Sequence, residues 1–415
     1  MNILMISYYF PPDWNGDSTR AYNAARGLML HGCNVTVITS FPHYPHGYIS
    51  TKYKRKILSL EEIDGIKVIR TWVPNLPHSP IIKRILLHIS FMFSSILGLS
   101  YTTRRNIDII FSMNPNFFAF YIAFIFKIFF RKNIIRNVDD LWPEVFYDLG
   151  IVKSSFLKKI LDFVARISYS IPVAIIPVSE GYVQTLVTKY NISLQKIFVI
   201  EHGVDTKVFR SLKTKNRSNN NNNNPTNKNN KKIIMYSGSI AIGYDLEAVI
   251  RSAKLLELEP VHFIIRGRGD LLDKLRQMIK EYDIRNVDIR TDILSKEELV
   301  SLLDSADIFL LPMSSSKVVD QGLPTKLFEY QALGKPIICL SNGEAGRYIL
   351  KTQSGLVSTS RQPEELAQLI MRLVKNEELA RRLGNNGFKN VDSNLTLEIV
   401  GKRLMDVIRT KFQKD

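Results

Sequence analysis

Short apolar runs alternate with helical patterns along most of the chain. A run of four to six apolar residues bounded by Gly, Pro, Asn or a charge reads as a strand buried on both faces. Apolar residues recurring at three- and four-residue steps read as an amphipathic helix. On these grounds residues 2–7, 34–39, 107–111, 134–137, 173–177 and 197–200 are predicted strands, and 18–31, 117–130, 160–170 and 181–190 are predicted helices. Beyond residue 231 the alternation resumes, with strands at 232–236, 262–266, 287–290, 308–311 and 336–340. The helices between and after them fall at 246–256, 271–282, 296–305, 326–333 and 363–375. Strand–helix–strand alternation predicts an α/β protein with two doubly wound, Rossmann-like parallel sheets and a cleft between them. Ligands are then expected at the C-terminal ends of the strands. The closing stretch, 395–415, is a strong helical pattern in which Leu397, Ile399, Val400, Leu404, Val407 and Ile408 recur at three- and four-residue steps.

Two kinds of segment break this rhythm. Residues 213–232 read KTKNRSNNNNNNPTNKNNKK. Such a composition cannot bury apolar surface, so a flexible link is expected there, dividing a domain at 1–212 from one at 233–395. Residues 85–101 and 117–130 are instead apolar and aromatic nearly all round. They hold 17 and 14 residues, short of the ~20 needed to span a bilayer. Lys83, Arg84, Arg104, Arg105, Arg131, Lys132 and Arg136 border them. Two readings stay open: helices buried in an α/β domain, or a segment at 81–132 that lies in a membrane interface.

Composition narrows the field. Hydrophobic residues make up 45% and charged residues 23%, which excludes wholesale disorder. The two cysteines, Cys33 and Cys339, exclude a disulfide scaffold and a cysteine-ligated zinc site, and fit a reducing compartment. The start, Met1-Asn2-Ile3-Leu4-Met5-Ile6, has no basic n-region, so no secretory signal is expected. Net charge is +17, of which +10 falls in residues 1–212, +6 in 213–232 and +1 in 233–415. A basic front half asks for an anionic partner: a nucleic acid, an anionic membrane or a phosphorylated substrate. No RRM, KH or zinc-finger pattern supports nucleic acid.

The candidate chemistry clusters late. After the apolar run 308–312 comes an irregular loop, then Pro324-Thr325-Lys326-Leu327-Phe328-Glu329-Tyr330, then Gly334. Thr325 is the expected N-cap and Gly334 the C-terminal stop. The N–H groups of Lys326 and Leu327 should point out of the helix start, where phosphate binds, and Lys326 adds a full charge. Glu329, one turn in, can accept two hydrogen bonds from a vicinal diol such as a ribose. Gly238-Ser239 and Gly267-Arg268-Gly269 each follow a predicted strand directly, as backbone-exposing turns. Neither is a dinucleotide fingerprint, since the further glycines and the ribose-binding acid are missing.

Taken in order and spacing, the chain resembles glycosyltransferase family 4 with the GT-B fold over nearly its whole length. The segments that carry the resemblance are Ser7–Pro12 with Gly16 and Arg20, Pro42–Gly47, Asp140–Glu144, Val178–Glu180, Gly203–Asp205 with Phe209, Tyr236–Ser239, Ala306-Asp307 with Pro312, Pro324–Gly334, Gly343-Glu344 and Asn386-Gly387. DLWPE and PTKLFEY look most like the fucosamine-transferase-like subgroup of surface polysaccharide synthesis.

The resemblance implies a retaining transferase of hexosyl or N-acetylhexosaminyl type. A nucleotide-diphosphate sugar of UDP or GDP type would bind the second domain and an acceptor the first. The donor contacts implied are Gly16, Gly238, Ser239, Arg266, Arg268, Thr325, Lys326, Leu327 and Glu329. Asp139, Asp140 and Gln321 are the catalytic candidates; Arg20, His43 and His46 lie on the acceptor side. Many relatives carry His at the position of Asp139, and a glutamate eight residues before Glu329, where this chain has Gln321. The final helix, 396–415, is expected to cross back to the first domain. No cofactor and no metal is expected. The apolar runs and the basic front half suggest a polyprenyl-diphosphate-linked acceptor and a cytoplasmic enzyme held peripherally on the inner face of the membrane. The competing readings are a nucleotide-sugar epimerase of the same fold and a non-enzymatic membrane- or nucleic-acid-binding protein.

Overall fold

In the computed structural model the front half folds as β1 (Asn2–Ile6), α1 (Gly16–Leu30), β2 (Asn34–Ser40), β3 (Leu58–Ile63), β4 (Ile66–Thr71), α2 (Ile81–Ser95), β5 (Ile109–Ser112), α3 (Phe117–Phe130), β6 (Ile134–Val138), α4 (Glu144–Asp148), α5 (Ser155–Ser170), β7 (Ala174–Pro177) and α6 (Gly181–Thr188). The back half follows as β8 (Lys232–Ser237), α7 (Leu246–Leu255), β9 (Val261–Arg266), α8 (Leu272–Glu281), β10 (Val287–Arg290), α9 (Lys296–Asp304), β11 (Ile308–Pro312), α10 (Thr325–Ala332), β12 (Ile337–Leu340), α11 (Glu344–Thr352), β13 (Gly355–Ser358), α12 (Pro363–Lys375), α13 (Glu377–Asn394) and α14 (Leu397–Phe412). The structure describes residues 1–44, 47–76, 81–102, 107–113, 117–148, 150–209 and 231–412; His46 and nearly all of the expected link at 213–232 lie outside them.

The front sheet has the order β3-β4-β2-β1-β5-β6-β7 and the back sheet β10-β9-β8-β11-β12-β13. Both are parallel except at one edge. There β3 runs antiparallel to β4 through the turn at Asp64-Gly65, a hairpin the apolar pattern did not reveal because its strand carries Glu61 and Glu62. Residues 197–200, expected as a strand, contribute only an isolated bridge between Ile197 and Ile175. In each sheet the direction of winding reverses at one place, between β1 and β5 in front and between β8 and β11 behind. A crevice opens at such a reversal, beyond the carboxyl ends of the strands.

The chain divides into two compact units, residues 1–203 with 397–415, and residues 204–396. The first boundary is therefore Gly203 and not residue 212. The reason is local: Val204 bridges Thr396 and its N–H donates to the Leu395 carbonyl at 2.7 Å, which ties it to the second unit. The last helix, α14, packs on α1 within the first unit. A Cβ on Gly401 would stand 2.2 Å from the Gly27 carbonyl oxygen, so the two backbones approach as only glycine permits.

The second greasy run mostly becomes core, while the first buries Leu87 and Phe91 but leaves Leu86, Phe93, Leu97 and Tyr101 exposed. Phe91 of α2 and Ala119, Phe120, Ile122, Ala123 and Phe126 of α3 are buried against Leu4, Ile6, Ile38 and Ile110 of the sheet. Residues 85–101 do not form one helix, since α2 ends at Ser95 and a 3-10 segment, Ile96–Tyr101, follows. Arg136 corrects the sequence reading outright. It is 1% exposed, and its guanidinium lies 4.3 Å from the Tyr169 ring centroid and 5.2 Å from that of Phe120. Position on a central strand outweighs its charge, and the two rings give it cation–π contacts. No described helix is long and apolar enough to cross a membrane.

Candidate functional site

The back unit gathers its candidates at the sheet reversal. Strand β8 ends at Ser237, and Gly238 follows with φ of +156°, where a Cβ would meet Lys326 Nζ at 2.2 Å. Only a residue without a side chain lets the lysine occupy that space. The Gly238 N–H donates to the Arg266 carbonyl at 2.9 Å, and the Ile240 N–H to that of Arg268 at 2.8 Å, so the turns after β8 and β9 are laced together. Lys326 Nζ donates to the Tyr236 hydroxyl at 2.9 Å and lies 4.4 Å and 3.7 Å from the ring centroids of Tyr236 and Tyr244. The Tyr236 hydroxyl in turn donates to the Ser239 carbonyl at 2.6 Å. Burial pushes the Lys326 ammonium down to about 7, with Glu329 pulling the other way. Tyr330 locks the helix to the strand, accepting from the Ser237 N–H at 2.9 Å and donating to the Ser237 carbonyl at 3.0 Å. Its ring stacks on Phe309 at 3.9 Å.

Two expectations at this helix need correction. Its N-cap is Pro324, and Thr325 is the first helical residue with no side-chain cap. Because Pro324 is extended with φ of −73° and ψ of 142°, its carbonyl accepts the Leu327 N–H at 3.0 Å. The Leu327 N–H is therefore turned back into the helix start, while Lys326 and Glu329 stand three residues apart on one face. Arg266 and Arg268 are drawn sideways to the segment just after β10, donating to the carbonyls of Asp292 at 3.0 Å and Thr291 at 2.8 Å. Gln321 ends a 3-10 turn, Val319–Gln321, and its amide donates to the Lys317 carbonyl at 3.0 Å. Beside it Asp320 stands 3.8 Å from Arg361, a pair not legible beforehand because its members lie 41 positions apart in the chain.

The front unit holds a second cluster, again past the strand ends. The Asn15 side chain caps α1 by accepting the Ser18 N–H at 2.8 Å, and Gly16 is the first helical residue. One turn on, Arg20 reaches Asp139 after β6 at 3.2 Å and Asp17 at 3.7 Å. Asn137 donates to Asp139 Oδ1 at 2.7 Å, Tyr182 to the Asp139 carbonyl at 2.9 Å, and His202 Nε2 lies 3.7 Å from the same carboxylate. Burial pushes Asp139 up to about 6 and Asp17 up to about 7, and raises Asp140, each against the pull of Arg20. Burial opposes the charge of Arg20, yet Asp139, Asp17 and Asp140 together hold it above its ordinary value. Burial, with Arg20 close by, keeps His202 neutral, far below its usual range. Arg20, Asn137, His202 and Gly203 also line a small cavity with Val400 and Leu404 of α14.

His43 is 5% exposed. Its Nδ1 donates to the Phe41 carbonyl at 2.8 Å, and the Tyr8 hydroxyl stands 3.3 Å from Nε2. Asp13 accepts the backbone N–H groups of His43 and Tyr44 at 3.1 and 3.0 Å. These bonds hold His43 as part of the loop's own framework. Asp13 and the fully buried Arg70, which pairs with Glu61 at 2.6 Å, were missed by sequence reasoning.

Comparison with known proteins agrees with this layout. Residues 14–208 match the model "Glycosyltransferase Family 4" and residues 218–390 the model "Glycosyl transferases group 1". A putative colanic acid biosynthesis glycosyl transferase of Escherichia coli is 24% identical over 339 residues, 80% of this chain and 82% of that one. An uncharacterised glycosyltransferase of Methanocaldococcus jannaschii is 21% identical over 415 residues, 100% of this chain and 99% of that one. Among solved structures, sucrose-phosphate synthase from Thermosynechococcus elongatus aligns with a TM-score of 0.75 at 16% identity, covering 100% of both chains. Anabaena HepE in complex with UDP and glucose aligns with a TM-score of 0.70 at 13% identity, covering 98% and 99%. With its front half matching the glycosyltransferase family 4 model, its back half the group 1 transferase model and its two sheets wound as in these structures, the chain has the GT-B fold and is similar to glycosyltransferases over both halves.

Proposed function

We propose that the protein transfers a sugar from a nucleotide-diphosphate sugar to a lipid-linked saccharide during surface polysaccharide synthesis, with retention at the sugar carbon. The observation that carries this reading is the Lys326 ammonium, held over Tyr236 and Tyr244 at the start of α10 between two glycine turns, with Glu329 one turn on. A diphosphate fits against Lys326 and the exposed backbone, and a ribose diol fits Glu329. The solved neighbours that hold UDP or UDP-glucose support a uridine donor, and the colanic acid relatives support a polysaccharide product. In the front unit, Arg20, Asp139 and Asp140 are proposed to hold hydroxyl or amino groups of the sugars. Retention is proposed to rest on positioning and charge stabilisation, Gln321 contributing a hydrogen bond where relatives contribute a carboxylate. No metal is invoked, because Lys326 and the helix start compensate the diphosphate.

The test is a thermal-shift panel of UDP, GDP, dTDP and ADP on the full chain. A ligand at ~100 Kd should stabilise by ~2.7 kcal/mol. Stabilisation by none of the four would overturn the reading. Transfer from the sugar conjugate of the stabilising diphosphate to give a product of inverted anomeric configuration would overturn retention alone.

A further inference from the structure

Helix α5 carries an outward face that the fold does not use. Its inward side is settled: Ala165, Ser168 and Tyr169 are buried, and Tyr121 of α3 donates to the Val164 carbonyl at 3.0 Å. The single acid of the helix, Asp162, is also turned to the protein, 2.8 Å from Lys189 and 3.0 Å from the Tyr147 hydroxyl. What faces outward is Phe156 at 75% exposure, Phe163 at 65% and Ile160 at 43%, spaced four and three residues apart, with Leu157 beside them at 42%. Lys159 and Arg166 follow Phe156 and Phe163 by three residues each and are exposed, as is Lys153 just ahead of the helix. An aromatic stripe thus runs beside a basic one for two turns.

We propose that this face of α5 docks the front unit onto an anionic lipid bilayer. Large apolar side chains beside lysine and arginine, with the one acid neutralised internally, match the composition of a helix that lies in a membrane interface. The phenyl rings enter the acyl boundary while the cations stay among phosphates. Charge decides against a second copy of the chain. A two-fold contact through this face would set Lys159 and Arg166 against themselves, in a half of the protein that already carries +10. The site lies outside residues 81–132, where apolar composition had pointed, and it extends the reading of a lipid-linked acceptor.

The experiment is co-sedimentation of the full chain with vesicles of phosphatidylcholine containing phosphatidylglycerol, and with phosphatidylcholine alone. The wild type should bind the anionic vesicles more tightly, and raised salt should weaken that binding. Phe156→Ser/Phe163→Ser and Lys159→Glu/Arg166→Glu should each weaken it at least ~10-fold. Melting temperature and the response to nucleotides serve as the check that both variants fold. Folded variants that bind like wild type would overturn the proposal. So would light scattering that shows a wild-type dimer, abolished by the same variants, without vesicle binding. Variant-sensitive vesicle binding in a protein that responds to no nucleotide would uphold the docking face and sink the transferase reading instead.

Discussion

Lys326 is a cation held where it is only half a cation. Two phenol rings and a glycine turn remove water from its ammonium, and its pKa falls to about 7. A diphosphate beside it restores the charged form. The sign follows. At pH 8 the free site is mostly neutral, so binding a nucleoside diphosphate should take up protons, and affinity should weaken as pH rises above about 7. Calorimetric titration in buffers of different ionisation heat measures the uptake; none at pH 8 would remove Lys326 from the phosphate site, and Lys326→Met should abolish it. Glu329→Ala tests the other end of the ligand. A lost pair of charge-assisted bonds, ~1.5–3 kcal/mol, should weaken nucleotide binding ~10–100-fold in the same assay. Unchanged affinity would place the ribose elsewhere.

At the scale of elements, small residues set how closely helices and turns approach. Gly401→Ala puts a methyl 2.2 Å from a backbone carbonyl of α1, which cannot move aside as a side chain can. Overpacking of that kind should cost at least ~1–3 kcal/mol, read as an earlier urea midpoint for the front unit. A midpoint equal to wild type would mean α14 sits loosely on α1. The same elements show what was legible beforehand. Strands β8, β9 and β11 and helix α10 announced themselves because each is a local pattern: an apolar run, a glycine, a basic residue after proline. Tyr236 and Tyr244 did not, since an aromatic in a strand and one in a loop look like core until the fold brings both to one lysine. Arg136 misled because composition counts a charge without its neighbours, and the ring of Tyr169 that covers it is 33 residues away. Greasiness misled in the same way: α3 is the more apolar helix yet is largely covered by the sheet, while the less apolar α5 leaves Phe156 and Phe163 outside.

For the molecule as a whole, the front unit carries an unusual proton balance. Asp139 titrates at about 6, and Asp13 and Asp17 at about 7, all raised by burial from the ordinary carboxylate range. Between pH 4 and 7 these three carboxyls therefore hold more protons in the folded unit than in the unfolded chain, and these outnumber the one proton that neutral His202 gives up. The contribution of these groups to stability is full below about pH 4 and is lost as pH rises through about 7. Differential scanning calorimetry should show the front-unit transition moving down between pH 5 and pH 8. A transition that moves up over that interval would mean the Arg20 pairings outweigh burial.

The return of α14 to the first unit has a consequence for how the protein is made. A ribosome releases residues 1–203 long before residues 397–412, and the whole back unit, residues 204–396, lies between them. At 5–20 residues per second the front unit waits roughly 10–40 s for the helix that closes over α1 and lines the cavity beside Arg20. The back unit has all its strands by then. The nascent chain thus completes its second half first, and the face of α1 that α14 covers stays open to water, or to chaperones, until translation ends.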